Sequence, residues 1–290
     1  CKKNNMKLII NWIPDCHCDC LIEDLIVNIH DFAEVICNPI NIISLTGFKV
    51  YNYLETEEGG KKNEYIDDKF NKLYIKSNCV LNNKYSYSYF NDFFKNLKWC
   101  DNINYLVNSI PNISDFIGMH IRMEGGKNFQ NIDADKESNW TNKETELMFN
   151  YRDISHIDNF INQMNNILHK NPKKKFFIAT DMKSSYEKLI NIYGNDRIKV
   201  LYRNKFDRSK EQLYFAVADI ILLSRCNQFY GSSWSSFSEL VTYFQKDEIK
   251  KKNIFSKNFK LNDINKYKDK TLLDVPILEG NSVLLGCRNR

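Results

Sequence analysis

The sequence predicts an α/β protein built on a doubly wound parallel sheet, and three observations carry that reading. From Asp115 onward, short apolar runs alternate with segments of helical periodicity, in the order βαβαβαβα. Phe116–Ile121 is a continuous apolar run, as expected of a parallel strand covered on both faces. Residues 209–240 read as helix, buried strand, glycine turn and the start of a second helix.

The N-terminal third gives weaker signals. Residues 7–12 (KLIINW) form an apolar strand ending at Pro14, and residues 22–27 a short helix. Residues 34–37 and 42–45 read as strands, and Thr46-Gly47 turns the chain into a further strand over 49–53. Residues 55–68 are charged and carry Gly59-Gly60, which suits a surface loop. Tyr89, Phe90, Phe93, Phe94 and Leu97 mark an aromatic helix ending near Trp99, with residues 102–111 as a linker. The ring stripe on that helix belongs to a core.

Beyond the strand at 116–121, a polar insertion over residues 124–150 is long enough to be a functional lid or a disordered loop. Ile157, Phe160, Ile161, Met164, Ile167 and Leu168 form one helix stripe, and residues 176–179 the next strand. Ser184 with Glu187 caps a helix that Gly194 ends, and residues 198–202 form a third strand. Ser209 with Gln212 and Ser236 with Glu239 are two further capping boxes. The helix after Ser209 is apolar nearly all round, so both its faces should be covered. Asp219 lies inside that run, where a carboxylate is costly unless a donor reaches it.

Composition bounds the function. A chain of 290 residues with 43% hydrophobic and 13% aromatic residues suits two globular domains, placed at 1–112 and 113–250, with a tail over 251–290. The charge of +5 fits an anionic small ligand and is too mild to argue for nucleic acid. The densest basic stretch, residues 170–175, reads as a solvated loop between helix and strand. No run of 18 apolar residues exists, so no membrane span is expected. The sequence opens at Cys1 without a leader pattern, which reads as a fragment or a trimmed chain.

Nine cysteines are scattered in odd number, which fits a reducing, cytoplasmic compartment better than a disulfide framework. A lumenal location in the secretory pathway is the alternative, should an anchor precede this sequence. Cys16, Cys18 and Cys20 alternate around His17 and Asp19, but no distant second pair completes a zinc site. No metal is expected. The sequons at Asn112 and Asn139 arise readily by chance in a chain so rich in asparagine.

Doubly wound sheets bind ligands outside the carboxyl ends of their strands. His120 and Arg122 close the first strand, Asp181 the second, Tyr202-Arg203 the third, and the serine turn from Ser232 to Ser236 the fourth. Arg122 offers a bidentate fork suited to phosphate. A serine turn opening a helix supplies N–H donors and a positive dipole end. Asp219 could accept from a base N–H. Each residue also has an ordinary reading, as core histidine, surface ion pair or helix-terminal acid. Together at one edge they point to a binding site. No glycine-rich GxGxxG follows a strand and no Walker lysine loop is present, which disfavours a dinucleotide oxidoreductase or a P-loop NTPase.

Four blocks carry a resemblance: H-I-R at 120–122, F-F-I-A-T-D at 176–181, A-D-I-I-L-L-S at 218–224 and G-S-S-W-S-S-F-S-E at 231–239. In that order they resemble the fucosyltransferase superfamily, which holds the α1,6-fucosyltransferases and the protein O-fucosyltransferases, over residues 113–245. The resemblance implies a GT-B fold of two Rossmann-type domains. It also implies an inverting, metal-independent transfer of L-fucose from GDP-fucose to a glycan or protein hydroxyl, with no further cofactor. Arg122 would hold the β-phosphate, with His120 beside it near base and ribose. Asp219 would accept guanine N–H groups, and Ser235, Ser236 and Phe237 would cradle the diphosphate, with Asp181 among the binding residues.

Two departures stand out. Met123-Glu124-Gly125 follows Arg122 where relatives often carry Arg-Thr-Asp. The glycine-rich loop that opens the family's N-terminal domain is not found, so that domain is read as lacking its first strand, loop and helix. An inverting transfer also needs a base near the acceptor hydroxyl. Glu124 is nearest Arg122 in sequence, with Asp133 and Asp135 farther along. The alternatives are a transferase using another nucleotide sugar, or a non-catalytic relative that binds a nucleotide sugar or glycan.

Overall fold

The computed structural model describes residues 1, 6–15, 18–40, 45–54, 57, 59–67, 69–77, 80–85, 90–123 and 142–259. Strands β1 (Ile9–Asn11) and β2 (Glu34–Ile36) pair in parallel, as do β3 (Lys49–Asn52) and β4 (Leu73–Lys76). These pairs remain two separate two-stranded sheets among the described residues. Tyr51, Tyr53 and Ile66 are buried around β3. Part of the stretch read as a surface loop thus supplies core, because Ile66 turns inward and its N–H reaches Asn82 O at 2.8 Å. The expected strand at 42–45 falls largely outside the described residues.

Helix α1 (Phe90–Asn96) is the expected aromatic helix. The supposed linker after it is helical: α2 spans Asp101–Asn108, with Ile103 and Val107 buried against the main core. Ile103, Leu106, Val107 and Ile110 sit at helical spacing, so the signal was present beneath the asparagines.

The remaining chain builds a five-stranded parallel sheet. Its strands are β5 (Phe116–Ile121), β6 (Lys175–Thr180), β7 (Ile198–Lys199), β8 (Gln228–Gly231) and β9 (Ile254–Phe255), in the order β7-β6-β5-β8-β9. Counted from β5 the order is 3-2-1-4-5, so it reverses between β5 and β8, where doubly wound sheets open a crevice. The helices are α3 (Asn142–Ile154), α4 (Ile157–Lys170), α5 (Lys183–Tyr193), α6 (Lys210–Arg225), α7 (Ser236–Phe244) and the short α8 (Asp247–Lys250).

Side-chain alternation sorts β5 between two cores. Ile117, Met119 and Ile121 face Ile157, Phe160 and Met164 of α4 and Leu189 of α5. Phe116 lies on the opposite face with α2, α6 and α7. Gly118 shares that face, where an added Cβ would stand 3.0 Å from Leu223 Cδ2 and 3.1 Å from Cys226 Sγ. This is how closely α6 lies on the sheet. Six consecutive residues of α6, Ala218 to Leu223, are buried, as its apolar circumference requires.

Several sequence expectations shift. Helix α3 begins at Asn142, inside the polar insertion; residues 124–141, including Glu124, Asp133 and Asp135, lie outside the described residues. Strand β7 is only two residues long: Val200 and Leu201 are buried but make no ladder. None of the three capping boxes forms as read. Helix α5 starts after Met182, two residues ahead of its box, and α7 after Ser235, one residue ahead. Ser209 occupies the N-cap of α6, but its hydroxyl donates to Asp207 instead. Such boxes are short patterns, and a competing local acceptor is enough to undo them.

Candidate functional site

The carboxyl ends of β5 and β8 are tied together at the reversal point by Ser232. Its N–H and its hydroxyl both donate to His120 O, at 3.0 and 2.9 Å, and its oxygen accepts from Arg122 N–H at 2.9 Å. Gly231 just before it has no room for a side chain: an added Cβ would stand 2.9 Å from the Phe229 ring and 3.0 Å from Ser238 Oγ. That close approach lets α7 start directly over the end of β5.

His120 is buried and touches α7 twice. Its Nδ1 lies 2.7 Å from Ser238 Oγ, and its ring stacks on Phe237 at 4.4 Å between centroids. Burial pulls its pKa down to about 3; Asp181 opposes that shift, while Arg122, Arg152 and Arg203 reinforce it. The imidazole is therefore neutral at physiological pH. Three arginines act on one ring, and two of them, Arg122 and Arg203, are each paired with a carboxylate.

Arg122 Nη1 donates to Asp181 Oδ2 at 2.7 Å. Asp181 also accepts from Met123 N–H at 3.1 and 3.2 Å and from Thr180 Oγ1 at 3.4 Å. Asp181 thus joins the site through Arg122, whose fork it grips while pinning the chain just beyond β5.

Next to this pair is a second, deeper one. Arg203 Nη2 donates to Asp219 Oδ2 at 2.6 Å, to the Tyr186 hydroxyl at 3.0 Å and to Thr180 O at 3.4 Å. The guanidinium stands over the rings of Phe206 and Phe215, at 5.1 and 5.7 Å. Burial works against the charge on Arg203, but Asp219 and Tyr186 outweigh it and hold the guanidinium protonated. Asp219 is wholly enclosed, and burial raises its pKa to about 6 against the pull of Arg203. Its Oδ1 has no hydrogen-bond partner among the described residues. Tyr186 is pushed up to about 12, first by burial and then by Asp219.

The serine turn divides its labour. Ser232 and Ser233 are structural: Ser233 N–H donates to Ser256 Oγ, and Ser233 Oγ accepts from Lys257 N–H, both at 2.9 Å. Trp234 has a φ of 53° and stacks on Tyr151 of α3 at 5.6 Å. Ser235 is the buried N-cap of α7, making no side-chain cap bond, and Ser236 is exposed as the first helical residue. The opening N–H groups of α7 are the kind that bind an anion.

Of the residues singled out in the sequence, His120, Arg122, Asp181, Ser235, Ser236 and Phe237 gather around the ends of β5, β6 and β8. Asp219 lies at the β6–β7 side with Arg203. Sequence reasoning placed Arg203 and Ser232 at this edge without their partners, and overlooked Ser238, Tyr186 and Arg152 as site residues. The pairing of Arg203 with Asp219 could have been found, since a carboxylate inside an apolar helix demands a cation, and Arg203 follows a buried run.

Among the described residues, no group of three His, Cys, Asp or Glu side chains is placed to hold a metal ion. Cys18 and Cys20 bring their sulfurs to 3.9 Å, and burial pushes the Cys20 thiol up to about 12. Cys16 and His17 lie outside the described residues. No helix is long and apolar enough to cross a membrane among the described residues.

No family model and no curated protein sequence matches the chain. Solved structures do. The fucosyltransferase NodZ from Bradyrhizobium superposes with a TM-score of 0.51 at 14% identity, over 83% of each chain. NodZ α1,6-fucosyltransferase co-crystallised with GDP gives 0.51 at 16% identity, over 83% of this chain and 82% of that one. NodZ soaked with GDP-fucose gives 0.50 at 12% identity, over 84% of both. The chain is therefore an α/β protein with parallel sheets that shares the fold of solved fucosyltransferases, the superfamily its four motifs resemble.

Proposed function

We propose that the protein is a glycosyltransferase that takes GDP-fucose as donor and transfers fucose, with inversion, to a glycan or protein hydroxyl. The observation that carries this reading is the β5–β8 reversal itself, where Arg122 N–H donates to Ser232 Oγ just before α7 and His120 packs on Ser238 and Phe237 within α7. A guanidinium fork and a helix dipole there bracket the place where a diphosphate leaving group gains charge. The neutral His120 stacked on Phe237 offers a flat, uncharged wall beside it for ribose or base. Ser235 and Ser236 lie at the start of α7 to meet the phosphates.

In this reading Arg122 stabilises the departing GDP, so no metal is required, and Asp181 holds the fork in its bonding direction. Asp219 Oδ1 is the acceptor for a base N–H, which requires the shell enclosing it to open. The segment before residue 113 supplies the acceptor side of a two-domain GT-B arrangement, and Glu124 serves as general base. Atoms balance simply: the acceptor oxygen attacks the anomeric carbon, the carbon–phosphate oxygen bond breaks, and the acceptor proton passes to the base. The test is release of GDP from GDP-fucose in EDTA. Turnover in EDTA supports the reading; turnover that appears only with added manganese assigns a different transferase class.

A second reading, a non-catalytic nucleotide-sugar binder, is favoured by one observation. Arg122 and Asp219 both carry internal counter-ions, at 2.7 and 2.6 Å. A donor must displace or share those partners. GDP binding without donor turnover, with or without metal, would establish it.

A further inference from the structure

The basic residues are unevenly distributed over the fold. At the edge where the strands begin, opposite His120 and Arg122, lie the α4–β6 and α5–β7 loops, the end of α6 and the segment from α8 to β9. Residues 115, 170–175, 195–197, 225 and 246–252 on this edge hold ten lysines and arginines against four carboxylates, while the whole chain carries +5. The rest of the chain is thus close to neutral, and the excess belongs to one edge.

The lysines are presented on ordered backbone. Arg197 Nη1 donates to Pro172 O at 2.6 Å and to Lys174 O at 3.2 Å, which fixes the run at 173–175 against the sheet. Lys252 is held by its N–H to Ile249 O at 2.9 Å and by Gln228 Nε2 to its own carbonyl at 3.3 Å. Lys173, Lys175, Lys251 and Lys252 are exposed, and none of them has a carboxylate partner among the described residues. Ile192, on the last turn of α5 at the same edge, is 50% exposed.

Strands β6 and β9 stand three positions apart in the sheet, so the two lysine runs are separated by roughly 14 Å. That exceeds the screening length of about 10 Å at 0.1 M salt, so the runs act nearly independently on a small ion. A flat anionic surface engages both. The cations are mostly lysine, whose point charge suits dispersed headgroups better than a fork suits one bound phosphate. These runs contain no aromatic ring on which a nucleobase could stack.

We propose that this edge seats the protein on an anionic lipid surface, with the runs at 173–175 and 250–252 against the headgroups and the site edge turned toward water. The inference stands apart from the reaction assigned above.

The experiment is co-sedimentation of the full chain with vesicles of phosphatidylglycerol and phosphatidylcholine in equal parts, and with phosphatidylcholine alone. The expected result is binding to the first only, lost on raising salt from about 0.1 to about 0.5 M. Reversing Lys173, Lys174, Lys251 and Lys252 to glutamate should weaken binding about tenfold or more. The same change at Lys7, Lys61, Lys62 and Lys183, which belong to neither run, should leave most of it. Absence of binding at low salt, equal loss in both variants, or displacement from the vesicles by polyuridylate would each overturn the proposal, the last assigning the edge to nucleic acid.

Discussion

Arg203 Nη2 lies 2.6 Å from Asp219 Oδ2, joining the loop after β7 to the middle of α6 in the protein interior. The Asp219 side chain is fully buried and that of Arg203 only 8% exposed, so this pair is shielded from solvent as no other described ion pair is. Removing one partner leaves the other charged and enclosed. Arg203→Met should cost about 3–5 kcal/mol. The paired change Arg203→Met with Asp219→Leu should recover most of that loss. Urea unfolding of the wild type and the two variants measures both; a mild loss in Arg203→Met would show that the pair opens to water.

His120 sets a pH dependence whose sign follows from its depressed pKa. The unfolded side chain takes up a proton near pH 6.5, the folded one only near pH 3. The unfolded state therefore binds more protons in between, and stability falls as the solution is acidified. This contribution is fully present above pH 6.5 and declines by about 1.4 kcal/mol per pH unit toward pH 3. His120→Gln can still hydrogen-bond to Ser238 and should flatten that part of the curve. Equal slopes for both proteins between pH 5 and 6.5 would show that the ring is solvated.

Gly231 is required by contact, because a Cβ would meet the Phe229 ring at 2.9 Å and Ser238 Oγ at 3.0 Å. Gly231→Ala should push α7 away from β5, costing roughly 1–3 kcal/mol. It should weaken nucleotide binding more than that loss of stability accounts for, since Ser238 also holds His120. Thermal melts with and without GDP separate the two effects. Full GDP affinity in the variant would detach α7 from the site.

Glu124 is assigned its role by sequence alone. Glu124→Gln should keep GDP affinity and lose about 10²-fold or more in turnover of donor with acceptor. Unchanged turnover removes Glu124 and passes the role to another acid or to the acceptor.

The large sheet was legible because parallel strands covered on both faces are written as uninterrupted apolar runs. Phe116–Ile121 shows this with the same bounds in sequence and structure. Strand β7 was overread, since Val200 and Leu201 are buried without pairing, and apolarity reports burial without reporting hydrogen bonds. Helix α2 was missed because its asparagines and Pro111 outweighed an apolar stripe only two turns long. In the site, most of the residues were found and their pairings were not. Arg203 meets Asp219 from sixteen residues away, and Ser232 reaches Arg122 from 110 away. Pairings of that range are set by strand order, which no local pattern encodes.

The most direct test of the central claim is a calorimetric titration with GDP of the wild type and of Arg122→Ala. The wild type should bind. The variant should unfold at a similar temperature yet bind at least about 30-fold more weakly, since truncating one partner of a buried charge-assisted pair costs roughly 2–5 kcal/mol. Equal affinity in the two proteins, or no GDP binding by a folded wild type, would contradict the assignment of this sheet edge to a nucleotide diphosphate.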